Sequence, residues 1–182
     1  MSMNNLTPGM IFNIAILSFL DKPVDHVIQA FLQKYPDQID DQETDVSLKL
    51  VSFLFEIDQK LTRINLMQPI SPYLIDKLAN KYYHEKEGAI ILFSKNHDYS
   101  FKAAKTFYKK LIQENKDFPI PIAFVELLEA HESSQLNIKE PEILDEAPYV
   151  AYYGLTDNAD GFESILNFIV QKYSAALKKN QE

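Results

Sequence analysis

The chain has 182 residues, 46% of them hydrophobic, which suits one compact domain whose core needs no metal or disulfide. It contains no cysteine, and that excludes disulfides, zinc–thiolate sites, cysteine nucleophiles and prenylation. The formal charge of −8, from 18 basic and 26 acidic residues, argues against a nucleic-acid partner: there is no basic stripe, and the pairs Lys109-Lys110 and Lys178-Lys179 fall at predicted helix ends.

The N-terminal MSMNNLTPGM has no basic region, and the apolar run IFNIAILSFL is only ten residues long and interrupted by Asn13 and Ser18. That is too short for a membrane span and lacks a small-residue cleavage site, so the expectation is a soluble, cytoplasmic protein without integral membrane association. Phe12–Leu17 reads as a buried strand. Pro23–Lys34 reads as a helix with Val27, Ile28, Phe31 and Leu32 on one stripe. Pro36–Asp45 (PDQIDDQETD) is acidic and aperiodic, which predicts a solvated loop. Val46–Ile57 and Leu61–Met67 form a predicted hairpin with its turn at Asp58-Gln59-Lys60.

Pro72–His84 is a predicted helix with Leu74, Leu78 and Tyr82 in line, and Gly88–Phe93 (GAIILF) a buried strand. Ser100–Asn115 is helical with Phe101, Ala104, Tyr108, Leu111 and Ile112 inward. Ile120–Leu128 is a strand whose Pro119 and Pro121 fall at its start, where proline is tolerated. A polar stretch, Glu129–Ala147, precedes a short strand at Tyr149–Tyr153, and Asp160–Lys178 closes the chain as a helix. No repeat or linker divides the sequence, so residues 1–182 read as one domain with flexible ends at 1–10 and 179–182. The alternation of strands and helices predicts an α/β layer fold.

Four stretches carry a resemblance. FNIAILSFLDKPVDHVIQAF has the form of an opening strand, loop and first helix. KYYHEKEGAIILFSKNHDYSFKAAKTFYKKL places Tyr82-Tyr83, Gly88 and Ser100-Phe101 at characteristic intervals. PIPIAFVELLEA and PYVAYYGLTDNADGFESILNFIV supply two later strands and a final helix. Together they resemble the Ras/Rab-like small GTPases over nearly the whole chain. The resemblance implies a three-layer, P-loop small-GTPase-like fold: about six strands, mostly parallel, with one antiparallel hairpin strand and helices on both faces.

The same alignment removes the chemistry. A phosphate loop needs G-x-x-x-x-G-K-[ST], so that backbone N–H groups and a lysine cradle phosphates while a hydroxyl holds magnesium. At those positions stand Ser18, Pro23, Val24 and Asp25, with Asp21 and Lys22 between. Pro23 removes a backbone donor, the shifted Lys22 does not restore the cradle, and the two aspartates oppose a triphosphate. Asp21 or Asp25 is instead expected to cap the helix.

The D-x-x-G segment, which touches magnesium and the γ-phosphate, becomes Gln68-Pro69-Ile70-Ser71, and the water-orienting glutamine becomes Pro72. N-K-x-D becomes Leu127-Leu128-Glu129-Ala130, and S-A-K becomes Gly154-Leu155-Thr156. Thr44 is the one survivor for the switch threonine, and an ungapped alignment puts Asp45 there. The resemblance thus implies a degenerate, non-catalytic pseudo-GTPase with no cofactor and no metal, acting as a protein-interaction or assembly subunit. The alternative is an atypical nucleotide binder or weak NTPase using Lys22, Thr44 and non-standard contacts.

No other catalytic arrangement competes. His26, His84, His97 and His131 lie on separate elements without ligand spacing, and the acids of 37–45 lack the central glycine and terminal glutamate of a calcium loop. There is no G-x-S-x-G turn. What remains is surface. If the hairpin's first strand lies at the sheet edge, Val51, Phe53, Leu54 and Phe55 are candidates for pairing with a partner or a second copy; a bulge resetting the alternation after Leu50 would instead bury them.

Overall fold

Met10–Ser18 (β1) is the strand around which the other elements are arranged. In the computed structural model, residues 9–44, 47–57, 59–71, 83, 86–94, 96–128, 149–155 and 159–179 are described, without the side chains of residues 21–24 and 98. Phe12, Ile14 and Ile16 of β1 are buried on one face, Ala15 and Leu17 on the other, so the strand is covered on both sides as a central strand must be. After β1 come Asp21–Lys34 (α1), Ile39–Thr44 (β2), Leu48–Ile57 (β3), Lys60–Pro69 (β4), Gly88–Phe93 (β5), Asp98–Glu114 (α2), Ile122–Leu127 (β6), Val150–Leu155 (β7) and Phe162–Lys179 (α3).

The seven strands form one sheet in the order β2-β3-β4-β1-β5-β6-β7. Only β3 runs against its neighbours; β4, β1, β5, β6 and β7 are parallel. The stripe Val27, Ile28, Phe31 and Leu32 of α1 and the stripe Phe162, Ile165, Leu166, Ile169 and Val170 of α3 pack on one face, while Ala104, Phe107 and Leu111 of α2 cover the other. The result is three layers, α/β/α. Phe31 anchors the first core, with ring centroids 4.7 Å from Phe162 and 5.1 Å from Phe53.

Residues quoted for their spacing have packing roles. A Cβ at Gly88 would run into the Cγ2 of Ile169, so any side chain there would force a shift where α3 crosses the strand. Buried Ser100 accepts the Ser94 N–H at 3.1 Å, which ties the exit of β5 to α2, and Phe101 stacks 5.2 Å from Phe93.

The segment expected as a solvated loop, Pro36–Asp45, instead makes one 3-10 turn at Pro36–Gln38 and then β2, paired antiparallel with β3. As the outermost strand, β2 is held by backbone hydrogen bonds and buries little side chain, so it carries no apolar alternation to read. Its presence also moves β3 inside the sheet. Val51, Phe53 and Leu54 are buried and Phe55 is half-buried beside Phe31, Tyr35 and Phe53, so the four residues expected at an open edge are core residues. The break in alternation after Leu50 is no bulge in the hairpin: the β3–β4 ladder runs unbroken from Leu48↔Pro69 to Ile57↔Lys60. Both faces of β3 are buried there, and the one irregularity lies in β2, between Ile39 and Asp41.

At the expected flexible ends, Met10 already belongs to β1, the Gly9 N–H donates to the Leu61 carbonyl at 2.9 Å, and α3 runs to Lys179. Residues 1–8 and 180–182, the predicted helix Pro72–His84 apart from buried Tyr83, and the polar stretch Glu129–Ala147 lie outside the described residues. Among the described residues no helix is long and apolar enough to cross a membrane.

Candidate functional site

In open parallel sheets ligands gather beyond the carboxyl ends of the strands, which here is the crest formed by the exits of β4, β1 and β5. Ser18 ends β1, and its Oγ accepts the N–H of Leu20 at 2.9 Å. Leu20, in extended conformation, is the N-cap of α1 and makes no side-chain cap. Lys22, Pro23 and Val24 form the first turn of α1 with Asp21; their side chains lie outside the described set.

Asp25 does not cap its helix. It stands on the inward stripe with Ile28 and Leu32, and its carboxylate accepts from the Lys49 ammonium at 2.8 and 2.9 Å and from Gln68 Nε2 at 3.1 Å. Lys49 and Gln68 are direct partners across the β3–β4 ladder, on the face that carries Val51 and Leu66 into the core. Strand parity therefore aims both side chains at the first turns of α1. The pair is partly solvated, with side-chain exposures of 35% for Lys49 and 42% for Asp25, so its net stabilisation is that of a screened ion pair, about 1 kcal/mol or less.

A groove of about 310 Å³ opens over this pair between α1 and β2–β4, and Gln42 and Thr44 reach its rim from β2. Its polar groups are mostly neutral or acidic. The Lys49 charge is already matched by Asp25, so the groove offers a triphosphate no uncommitted cation among its described lining. Thr44 is exposed and pairs with Lys49 in the β2–β3 ladder. The Gln68–Ser71 segment ends β4 at Pro69, and the Ile70 N–H is taken by the Ser47 carbonyl at 2.9 Å.

The opposite face of the same strands carries a polar row. Asn65 Nδ2 donates to Asn13 Oδ1 at 2.9 Å, Ser52 Oγ donates to Asn65 Oδ1 at 2.8 Å, and the Asn13 N–H donates to Glu87 Oε2 at 2.6 Å. Arg63 joins Asn65 and reaches Asp40 of β2 at 3.2 Å, which pins the outer strand. At the far side of the crest, buried Glu126 at the end of β6 accepts the Tyr152 hydroxyl at 3.0 Å. Burial first, then the neighbouring Glu126 carboxylate, pushes the Tyr152 phenol above its ordinary range. Among the described residues no three His, Asp or Glu side chains are grouped to hold a metal ion.

No protein-family model matches the sequence, and no curated protein matches it.

Sequence reasoning singled out Ser18, Asp25 and Gln68 but missed Lys49, Glu126 and the Asn13–Asn65–Ser52 row. A signal for Lys49 was present: it is the one cation of V-S-L-K-L-V-S-F-L-F and shares parity with Val51 and Phe53. Nothing local marks Glu126, whose partner lies 26 residues away on the next strand.

Proposed function

We propose that this chain is a catalytically silent Ras-like domain that works as a protein-interaction or assembly subunit and does not bind GTP. The observation that carries this reading is the Asp25–Lys49–Gln68 cluster. In the Ras-like pattern, the hydroxyl at the position of Asp25 and the acid at the position of Gln68 serve a magnesium ion. Here those two positions bond to each other, and the positive charge beside them is the chain's own lysine. An ammonium takes one unit of negative charge and leaves nothing to bridge phosphates, so the cluster closes on itself.

The interaction reading is supported by the crest. Phe19, Ile70 and Tyr99 immediately follow or lie just beyond the exits of β1, β4 and β5, three neighbouring parallel strands, and are 42%, 36% and 77% exposed. Large apolar side chains at the mouth of a sheet suit contact with a protein better than contact with a phosphate.

Isothermal titration with GTP, GDP and ATP, each with magnesium, tests the reading. The expected result is no binding tighter than about 100 μM, near −5.5 kcal/mol. Tighter binding, or nucleotide released by heat from the purified protein, would transfer the assignment to an atypical nucleotide binder.

A further inference from the structure

The two ends of the sheet are built differently. At one end β2 carries Asp40, Asp41 and Glu43 along six residues. A second copy set against it would bring like charges together in a chain that already bears −8, a standard device against edge-to-edge pairing. At the other end β7 reads V-A-Y-Y-G-L, with no charge and no proline, and among the described residues no strand lies on its outer side. Its first five residues are all half-buried.

The hydrogen bonds fix which backbone groups of β7 face outward. The carbonyls of Tyr149 and Leu155 accept the N–H groups of Ile122 and Leu128, each at 2.8 Å, so the odd-numbered residues bond to β6. Successive residues of a strand point their N–H and C=O groups to alternate sides, which leaves Val150, Tyr152 and Gly154 facing out. These three are symmetric about Tyr152. An antiparallel copy can therefore pair Tyr152 with its own equivalent and Val150 with Gly154, using every outward donor and acceptor of the strip.

The side chains fit the same register. Val150 would lie over Gly154, which has no side chain, and Tyr153 would lie beside Ala151. Large residues meet small ones at both non-identical pairs within 150–154, and the backbone of Gly154 is not in the positive-φ region, so the strand there is ordinary. The central Tyr152 hydroxyl is already engaged inward by Glu126, leaving the ring edge for the contact.

We infer that two copies of this chain associate through β7, antiparallel about Tyr152, to make one continuous sheet across a two-fold axis. The contact strip is neutral, as it must be for two molecules of the same strong charge to approach.

Because the chain has no cysteine, the register can be tested by cross-linking. In the variant carrying Val150→Cys and Gly154→Cys, the two thiols of one chain are about 13 Å apart along the strand and cannot bridge. Across the proposed axis each faces its counterpart at about 5.5 Å, within disulfide range. Mild oxidation should give a reducible species of twice the 21.0 kDa chain mass, and Asp41→Cys on β2, carried as a control, should not.

Sedimentation of the unaltered protein between about 1 and 500 μM, a span covering weak and standard interfaces, should show a concentration-dependent dimer. Val150→Pro, which removes an outward N–H and no bond to β6, should raise its dissociation constant at least about tenfold. A monomer at every concentration overturns the inference. So does a dimer that neither cross-links through 150 and 154 nor responds to Val150→Pro.

Discussion

The Lys49 ammonium holds both carboxylate oxygens of Asp25, at 2.8 and 2.9 Å, and thereby joins the first turns of α1 to the hairpin. The bond spans 24 residues of sequence and lies on the floor of the groove beside the crest. It neutralises both charges internally, close to the turn that follows β1.

Lys49→Met should cost about 0.5–1 kcal/mol, the discount reflecting the solvation of both partners. The loss should shrink in molar salt, since a partly exposed pair is screened. Urea unfolding of Lys49→Met, Asp25→Ala and the double variant checks this: the coupling energy should be positive at low salt and approach zero at high salt.

Phe31 is fully buried between Phe53, Phe162 and Tyr35. Phe31→Ala should cost about 3–5 kcal/mol, because the ring of α1 is held between β3 and α3, and neither can collapse independently into the void. The denaturant midpoint should fall sharply at unchanged slope.

Gly88→Ala should cost about 1–3 kcal/mol by overpacking, since the new methyl meets Ile169 Cγ2 on α3 and lies 3.4 Å from the Pro121 carbonyl. Combining it with Ile169→Ala should recover part of that loss, so the double variant should be more stable than the sum of the two changes. Thermal melts of the four proteins read the coupling.

Tyr152 gives a pH prediction whose sign is determined. Its folded-state pKa is raised, so its contribution is fully present below the unfolded value near 10 and is lost as pH rises above it. Tyr108, Tyr153 and Tyr173 are raised by burial in the same direction. Stability should therefore be flat to about pH 9.5 and fall beyond it. Phenolate absorbance should show these rings ionising together with unfolding; ionisation in advance of it would refute the assignment.

Apart from β2, the order of the described strands and helices was legible in the residues themselves. Phe12–Leu17, Gly88–Phe93 and the α3 stripe are apolar in patterns that admit one reading, because side-chain burial is what makes those elements form. That Ser18–Asp25 lacks the glycines and the lysine of a phosphate-binding turn was equally legible, since it is a property of sequence alone. Three things required the tertiary structure. Strand β2 forms through backbone bonds to β3, which composition does not record, and its presence turned Val51, Phe53, Leu54 and Phe55 from edge into core. Asp25 could have capped its helix or paired elsewhere, and only the β3–β4 register, which sets Lys49 opposite Gln68 beneath α1, decided between them. Tyr152 and Glu126 meet because β6 and β7 lie side by side, a non-local pairing that fixes which groups of β7 face outward. In each case the deciding interaction joins two different elements, and the periodicity within a single segment does not encode which partner it meets.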